Sequence, residues 1–365
     1  MGIVETPEER IAAIEKEIRE TAYHKGTEHH IGKLRARIAR IKDEIQEKKS
    51  KGSGGGGGFA VRKSGDATVV FVGPPSVGKS TLLNKLTNAQ SKVAAYEFTT
   101  LDVIPGMMDY KGAKIQIFDL PGIIGGAAKG KGRGREILSV ARSADLLIII
   151  VDPKTYPTLP QIYEELREAG LRLDDTPPKV IINKQLKGGL TIISGAKLSQ
   201  ETIKEVAHEF RLGNVEIIIK ENITLERLID SFLGNRVYLP SFTILNKVDL
   251  LKREPSDNDL FLISADKEIG LDTLREKIFE SLKLFPVFLK PQGGEPDLKT
   301  PLILRNGATV LTAAQKVHGE IADNIKSAQI WGPSAKFPGQ LVSLNHPLQS
   351  GDIITFLTKE KVFAF

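Results

Sequence analysis

Apolar residues near the start of the chain recur at helical spacing. Ile11, Ile14 and Ile18 lie three or four residues apart, and after a break at Gly26 and Thr27 the spacing resumes from residue 31 to residue 45. This periodicity predicts two amphipathic helices within residues 5–49. The run Thr6-Pro7-Glu8-Glu9 favours a helix start, with a capping hydroxyl, a first-turn proline and acids. We therefore expect an N-terminal helical hairpin over residues 1–51.

The two predicted helices differ in charge. Residues 5–20 carry six acidic and three basic residues, whereas residues 30–51 carry eight basic and three acidic ones. Runs of charge usually lie on solvated helix faces, which favours a solvent-exposed hairpin. The alternative is an arm that faces RNA or the ribosome.

Short apolar runs predict a mostly parallel sheet after the glycine-rich linker at residues 52–58. The expected strands are 59–61, 68–72, 114–118, 146–151, 241–245 and 261–263. Residues 170–237 add strands at 180–182, 190–193 and 215–219 and a helix at 199–209, typical of a small inserted α/β module. The sheet domain then comprises residues 59–169 and 238–288.

The C-terminal segment, residues 289–365, predicts a β-grasp fold. Residues 286–301 are rich in proline and glycine and are interpreted as a linker. Asn306-Gly307 between two apolar runs predicts a hairpin. A helix capped by Thr312 and running through Asn324 is expected next. Strands near residues 330–331, 341–344 and 353–357 complete the pattern.

A phosphate-binding loop is predicted where the second expected strand ends. The run Gly73-Pro74-Pro75-Ser76-Val77-Gly78-Lys79-Ser80-Thr81 fits G-x-x-x-x-G-K-[ST] between a strand and a helix. Backbone N–H groups of such a loop surround phosphates at a helix N-terminus. Lys79 would supply charge to the terminal phosphates, and the Ser80 hydroxyl would bind Mg²⁺.

A second motif that would contact the phosphates follows the strand at 114–118. Asp119 opens the run Asp119-Leu120-Pro121-Gly122. An acid at a strand's carboxyl end can hold Mg²⁺ through water, and Gly122 lets its N–H approach a γ-phosphate. The D-x-x-G pattern is weak alone, but it is strong about forty residues after a P-loop lysine.

Guanine recognition is predicted at the run Asn246-Lys247-Val248-Asp249. Asp249 would accept two hydrogen bonds, from N1–H and N2–H of guanine, a donor pair that adenine lacks. Ser264-Ala265-Asp266 forms a loop whose backbone would contact the guanine O6. The run Asn183-Lys184-Gln185-Leu186 lacks the acid and is rejected.

The chain resembles the developmentally regulated GTP-binding proteins of the Obg-type translation-factor GTPases. The residues that carry the resemblance are the glycines before Phe59, Lys63-Ser64-Gly65-Asp66-Ala67, the P-loop, Tyr96-Glu97-Phe98-Thr99-Thr100-Leu101, and Asp119 to Ile124 followed by Gly126-Ala127. The resemblance implies a P-loop GTPase core, a helical N-terminal region, an insert similar to part of a small-subunit ribosomal protein, and a C-terminal TGS domain. It also implies work on or near ribosomes.

The resemblance further implies two switch segments. Thr100, with Thr99 as the alternative, would close onto Mg²⁺ and the γ-phosphate. The second switch spans residues 123–135, where glycines give mobility and four basic residues are internal counter-charges, RNA contacts or part of a solvated loop. Ile123 stands where Ras-like enzymes place a water-orienting glutamine, so unaided hydrolysis should be slow.

A K⁺ ion is one candidate for stabilising the charge that develops during hydrolysis, in place of the missing glutamine. Several relatives hold K⁺ partly through a P-loop asparagine, and this chain has Ser76 at that position. Serine still offers an oxygen, but the departure weakens the K⁺ interpretation. A backbone group or a partner is the alternative.

Composition narrows the function classes. The 365 residues include no cysteine, which excludes disulfides, thiolate zinc sites and a cysteine nucleophile. The net charge of +6 mildly favours a polyanionic partner. The longest strongly apolar run, residues 146–151, is far shorter than the ~20 residues of a membrane span, and the N-terminus lacks a signal-peptide core.

The sequence as a whole predicts a cytoplasmic, monomeric, Mg²⁺-dependent GTPase that converts GTP to GDP and phosphate. It would act as a switch in translation, with a ribosome or RNA as its partner and a possible protein partner on the TGS or N-terminal region. One alternative is a GTP-gated RNA or ribosome adaptor whose hydrolysis is incidental. Another is an ATPase, against which Asp249 argues.

Overall fold

The computed structural model describes residues 5–51, 64–87, 104–120, 140–251 and 260–358, without the side chains of residues 46–51. Its helices are α1 Pro7–Glu20, α2 Glu28–Lys51, α3 Lys79–Leu86, α4 Leu159–Glu168, α5 Gln200–Glu209, α6 Leu225–Leu233, α7 Leu271–Ser281, α8 Val310–Val317 and α9 Gly319–Asn324. Its strands are β1 Ala67–Val72, β2 Ile104–Tyr110, β3 Ala113–Asp119, β4 Leu146–Val151, β5 Leu171–Leu173, β6 Val180–Lys184, β7 Leu190–Ser194, β8 Val215–Ile219, β9 Val237–Leu239, β10 Ser241–Leu245, β11 Leu260–Leu262, β12 Leu284–Leu289, β13 Asp297–Arg305, β14 Ile325–Trp331, β15 Gln340–Val342 and β16 Ile353–Thr358.

The chain divides into two compact units. The first comprises Met1–Gly58 and Leu166–Tyr238, and the second comprises Phe59–Glu165 and Leu239–Phe365. None of the described helices has the length and apolar character that crossing a membrane requires.

A six-stranded sheet in the order β11-β10-β4-β1-β3-β2 forms the centre of the second unit. Every pair in it is parallel except β2 with β3. All residues of β1 and β4 are buried, as expected of central strands covered on both faces. The predicted α/β core with a mostly parallel sheet is therefore confirmed.

The strand order places the predicted motifs at one edge of this sheet. The chain passes from β3 to β4 across β1, so the direction in which strands are added reverses there. Ligands of open α/β sheets bind outside the carboxyl ends of the strands at such a point. The P-loop follows β1, Asp119 ends β3, and Asn246 follows β10.

A five-stranded sheet in the order β13-β12-β16-β14-β15 forms the C-terminal β-grasp domain. Its core includes Val287 and Ile330 from the sheet and Val310 and Ala314 from α8, all at most 1% exposed. β12 and β16 are parallel, whereas the other pairs are antiparallel.

Two details of the C-terminal prediction are wrong. Residues 286–301 are not a linker, because most of them belong to the antiparallel strands β12 and β13. The proline and glycine cluster forms only the turn between these strands. The expected hairpin at Asn306-Gly307 is instead the turn from β13 into α8. Thr309, not Thr312, caps α8, because its hydroxyl accepts a hydrogen bond from the N–H of Thr312.

Two ion pairs join this β-grasp domain to the central sheet. Arg305 contacts both carboxylate oxygens of Asp145, at 2.9 and 2.7 Å. Lys316 Nζ lies 2.7 Å from Asp66 Oδ1. The hydrogen bond from Arg305 to Asp145 raises the pKa of the arginine. Asp66 and Asp145 precede β1 and β4, so these pairs lie at the sheet edge opposite the P-loop.

In the first unit, α2 packs against the module formed by residues 170–237. Ile31, Leu34, Ala36 and Ile41 of α2 are at most 3% exposed. A Cβ on Gly32 would lie 3.0 Å from the side chain of Thr202 in α5, which shows how closely the helices approach. The solvent-exposed hairpin expected from the charge pattern does not describe α2, because its apolar stripe is covered.

The basic side chains of α2 are paired within the first unit. Lys33 lies 3.1 Å from Glu205, and Arg35 lies 2.5 Å from Glu226. Arg37 contacts both carboxylate oxygens of Glu209, at 3.2 and 3.3 Å, and Arg40 lies 3.2 Å from the same residue. These four basic side chains of α2 therefore meet acids of α5 and α6, and Lys42 lies 3.6 Å from Glu168 at the end of α4.

The Glu209→Gln substitution should loosen the packing of α2 on α5. Glu209 is 7% exposed and faces two guanidinium groups, so its loss leaves Arg37 without its counter-charge and Arg40 with only the half-exposed Glu44. We expect a local loss of about 1–3 kcal/mol, the cost of leaving a buried hydrogen-bonding group without its partner. Hydrogen exchange should then be at least about fivefold faster at α2 and α5 amides.

Glu44→Gln is the matched control, because Glu44 is half-exposed and its one ion pair within the described residues is with Arg40. Equal exchange rates in the two variants would show that Glu209 does not hold the helices together.

Candidate functional site

The loop between β1 and α3 has two glycines that no other residue could replace without a clash. A Cβ on Gly73 would lie 2.1 Å from the carbonyl oxygen of Ile150. Gly78 has a φ of +94°, and its Cβ would lie 2.4 Å from Asn246 Nδ2. The loop therefore packs against β4 and against the residue that follows β10.

Lys79 lies inside this loop. Its Nζ donates hydrogen bonds to the carbonyl oxygens of Gly73 at 3.0 Å and Pro74 at 2.8 Å, and the residue is 6% exposed. Burial lowers the pKa of Lys79, and the nearby Asp119 carboxylate opposes that effect. The ammonium group is thus held at the loop by contacts that an anion could replace.

A pocket of about 370 Å³ opens over the loop and the start of α3. It is lined by Pro75, Ser76, Gly78, Lys79, Ser80, Thr81 and Asp119. N–H groups at the start of a helix attract anions, so this pocket suits a phosphate chain.

Ser80 and Asp119 meet at one end of the pocket. The Ser80 hydroxyl donates a hydrogen bond to Asp119 Oδ2 at 2.6 Å. Asp119 is 2% exposed, yet its Oδ1 has no hydrogen-bond partner among the described residues. A buried carboxylate oxygen without a partner is costly, so it indicates a ligand that would complete the site.

Asn246 links three parts of the site. Its Nδ2 donates to the carbonyl oxygen of Val77 in the loop at 2.8 Å. Its Oδ1 accepts from the N–H groups of Lys247 at 2.8 Å and Ala265 at 2.9 Å. The predicted guanine and phosphate motifs are therefore in direct contact.

Lys247, in the predicted guanine motif, reaches the loop between β1 and α3. Its backbone has a φ of +61°, and its Nζ donates to the Ser76 carbonyl oxygen at 2.6 Å and contacts Asp152 Oδ2 at 2.8 Å. Burial of Asp152 favours its neutral form, but hydrogen bonds from Lys247 and Thr155 outweigh this and lower the pKa of Asp152. This carboxylate therefore stays charged beside the lysine.

Asp152 was missed by the sequence analysis. The available signal was its position directly after the buried strand β4, the same position that Asp119 holds at the end of β3. Without a motif around it, that position alone did not distinguish a site residue from a turn.

Asp249 and the residues after β11 form the far end of the site. The Ser264 hydroxyl donates to Asp249 Oδ1 at 2.5 Å, and Asp249 itself is exposed. The Ala265 N–H is engaged by Asn246, and Asp266 points outward and pairs with Lys267 at 3.6 Å. Ser264 is fully buried, so its hydroxyl fixes the orientation of the Asp249 carboxylate.

Several expected site residues lie outside the described parts of the chain. These are Thr99, Thr100, Gly122, Ile123 and the glycine-rich run to residue 135. The rejected Asn183-Lys184 run lies in β6 of the first unit, where Asn183 donates to Glu216 at 2.9 Å.

Family models match almost the whole chain after the glycine-rich linker. The 50S ribosome-binding GTPase model matches residues 68–184, and a model of the C-terminal region of that domain matches residues 187–284. The TGS domain model matches residues 286–358.

Curated relatives match over the full length. An uncharacterized GTP-binding protein of Methanocaldococcus jannaschii is 50% identical, with 98% of this chain and 94% of that protein covered. GTP-binding protein 1 of Schizosaccharomyces pombe is 40% identical, and human developmentally-regulated GTP-binding protein 2 is 39% identical, each with 98% of this chain and 100% of the relative covered. The chain therefore belongs to the developmentally regulated GTP-binding proteins, a family of P-loop GTPases with a C-terminal TGS domain.

Proposed function

We propose that this GTPase is a Mg²⁺-dependent switch whose state of bound nucleotide controls its affinity for a ribosome or RNA. The phosphates would lie on the loop from Gly73 to Thr81, with Lys79 as their counter-charge. The guanine base would be held by Asn246, Lys247, Asp249, Ser264, Ala265 and Asp266. Water would attack the γ-phosphorus in line with the leaving GDP oxygen.

The observation that carries this proposal is the side chain of Asn246. It bonds to the phosphate loop at Val77 and to the loop after β11 at Ala265. A base bound by Asp249 and a phosphate chain bound by residues 73–81 would therefore be held at a fixed distance and orientation relative to each other. This is the arrangement that a guanine nucleotide, and not a simple phosphate, requires.

The residues present fit a Mg²⁺ ion. Ser80 and Asp119 supply a hydroxyl and a carboxylate, which are ligands that Mg²⁺ prefers, and Asp119 Oδ1 has no partner in the described structure. Thr100 would be a further ligand in the GTP state. When bound there, the ion would neutralise charge on the terminal phosphates.

The switch residues are proposed from the family resemblance and the sequence. Gly122 would offer its N–H to the γ-phosphate. Ile123 cannot orient water, so charge that develops in the transition state needs another stabilising group. We include K⁺ near Ser76, or a macromolecular partner, in the proposal for that reason. Ser76 has a φ of +64°, and its carbonyl oxygen is already bonded to Lys247.

The cellular part of the proposal rests on the relatives. The matching GTPase family is described as 50S ribosome-binding, which supports a ribosome or ribosomal RNA as the partner of this chain. We further propose that it works in the cytoplasm as a monomer and that the TGS or N-terminal region offers a site for a protein partner.

A second candidate is a GTP-gated adaptor whose hydrolysis is incidental. Ile123 favours it, because a residue that cannot orient water does not promote turnover. The two functions share one site and differ only in whether hydrolysis is stimulated.

The Lys79→Ala substitution should weaken GTP binding about 100-fold, because a buried charge-assisted contact to phosphate contributes about 1.5–3 kcal/mol. Lys85→Ala is the matched control, since Lys85 lies on the same helix and pairs with Glu268 at the surface. Titration with a fluorescent GTP analogue measures both variants. Similar affinity of the two would refute the role of Lys79.

The Asp249→Asn substitution should weaken GTP and favour xanthosine triphosphate. An amide can donate to the carbonyl that xanthine carries in place of the guanine amine, whereas it cannot accept both guanine donors. We expect GTP affinity to fall about tenfold or more. Asp272→Asn, at an exposed position of α7, is the control. Unchanged GTP affinity in Asp249→Asn would remove Asp249 from the base site.

Multiple-turnover GTP hydrolysis should be slow in Na⁺ and faster in K⁺ or with purified ribosomes. The reason is that Ile123 leaves the transition-state charge without its usual support. Phosphate release with Mg²⁺ is measured for each condition, with ATP as the substrate control. Turnover that neither K⁺ nor ribosomes increase would favour the adaptor function, and equal use of ATP would contradict guanine selectivity.

A further inference from the structure

The three-stranded sheet of the first unit, in the order β6-β8-β7, has one covered face. Val215, Ile217 and Ile219 of β8 are 3%, 0% and 5% exposed, and they pack in one core with Ile203 of α5 and Leu228 of α6. Side chains alternate along a strand, so the residues between them lie on the opposite face.

An aliphatic row crosses that opposite face. Ile218 is paired in register with Ile181 of β6 and Ile193 of β7. Ile181 is 40% exposed and Ile193 is 52% exposed, although both belong to regular strands. Aligned apolar side chains that stay open to solvent usually mark a binding surface.

Three exposed lysines lie at one end of this row. Lys179 and Lys220 are cross-strand neighbours, because the Lys220 N–H donates to the Lys179 carbonyl oxygen at 2.9 Å. Lys197 follows β7, and its N–H donates to Asn222 at 3.0 Å. Within the described residues, none of the three forms a salt bridge. Like charges opposite each other destabilise a sheet, so the pair indicates a ligand of opposite charge.

The basic residues of α2 differ from these three lysines because they are paired with acids. Lys33, Arg35, Arg37 and Arg40 are each paired with a carboxylate of α5 or α6. The RNA- or ribosome-facing arm, which was the alternative from the sequence, is thus neutralised at its described residues. Lys179, Lys197 and Lys220 are among the described basic residues of this unit that form no salt bridge, and they lie beside the open aliphatic row. Glu216, on the same face, accepts a hydrogen bond from Asn183.

We propose that this face binds single-stranded RNA. The face is defined by Lys179, Ile181, Ile193, Lys197, Ile218 and Lys220. The lysines would contact phosphates, and the apolar faces of unpaired bases would pack against the isoleucine row. An acidic protein helix fits less well, because helices dock in grooves and this sheet face is open. The inference deepens the proposed RNA-linked switch and rests on it for the partner class.

The test is a fluorescence anisotropy titration of the full chain with a fluorescein-labelled, mixed-sequence single-stranded RNA over a series of salt concentrations. The double variant Lys179→Ala/Lys220→Ala should bind about tenfold more weakly at low salt. Its salt slope should be smaller by about 1.4, since each phosphate contact contributes ~0.7 for single strands. The double variant Ile181→Thr/Ile193→Thr should also bind more weakly, but with an unchanged slope.

The matched control is Lys25→Ala/Lys204→Ala, which removes two exposed lysines of the same unit away from the face. It should bind within about twofold of the wild type. The inference is overturned if both face variants bind like the wild type, or if the control loses as much affinity as the lysine variant. It is also overturned if the wild type binds polyglutamate and not RNA.

Circular dichroism and GTP turnover of every variant separate this inference from the proposed switch. The face variants should keep the wild-type spectrum and turnover, because no face residue belongs to the nucleotide site. Absent turnover in the wild type would count against the switch alone. Normal turnover with unaltered RNA binding in the face variants would count against the RNA surface alone.

Discussion

The amide side chain of Asn246 constrains the whole nucleotide site. It is 2% exposed, so each of its hydrogen-bonding atoms must find a partner inside the protein. The partners come from the loop after β1, from its own turn after β10 and from the loop after β11. Gly78 must be a glycine because a Cβ there would occupy the position of this amide. Sheet order, loop conformation and base specificity are thereby linked through one residue.

The central sheet and the described motif residues could be predicted from the sequence because their signals are local. A buried strand such as β4 is a continuous apolar run, and the P-loop pattern fixes its own conformation through Gly73 and Gly78. Local patterns failed where the partner is distant along the chain. Asp152 gains its role only from Lys247, and β12 only from its pairing with β13.

The charges of α2 show more clearly that a local pattern does not reveal a partner that is distant along the chain. A run of lysines and arginines in the sequence is compatible with a solvated face, a nucleic-acid arm or an internal interface. Only the positions of Glu205, Glu209 and Glu226 distinguish these, and they come more than 150 residues later. The net charge of +6 therefore does not locate a polyanion surface. The lysines beside β6 and β8 carry our proposal instead, because their contacts within the described part of the chain include no salt bridge.

The packing of α2 on α5 also limits how this chain can be shortened. A chain that begins after the glycine-rich linker would keep the GTPase motifs and look like a reasonable minimal enzyme. It would also uncover Thr202 and Val206 of α5 and leave Glu209 without its guanidinium partners. Such a fragment would carry a module that lacks its packing helix, between the two sequence segments of the GTPase core. Poor solubility of that fragment would then report on the missing helix, not on the enzyme.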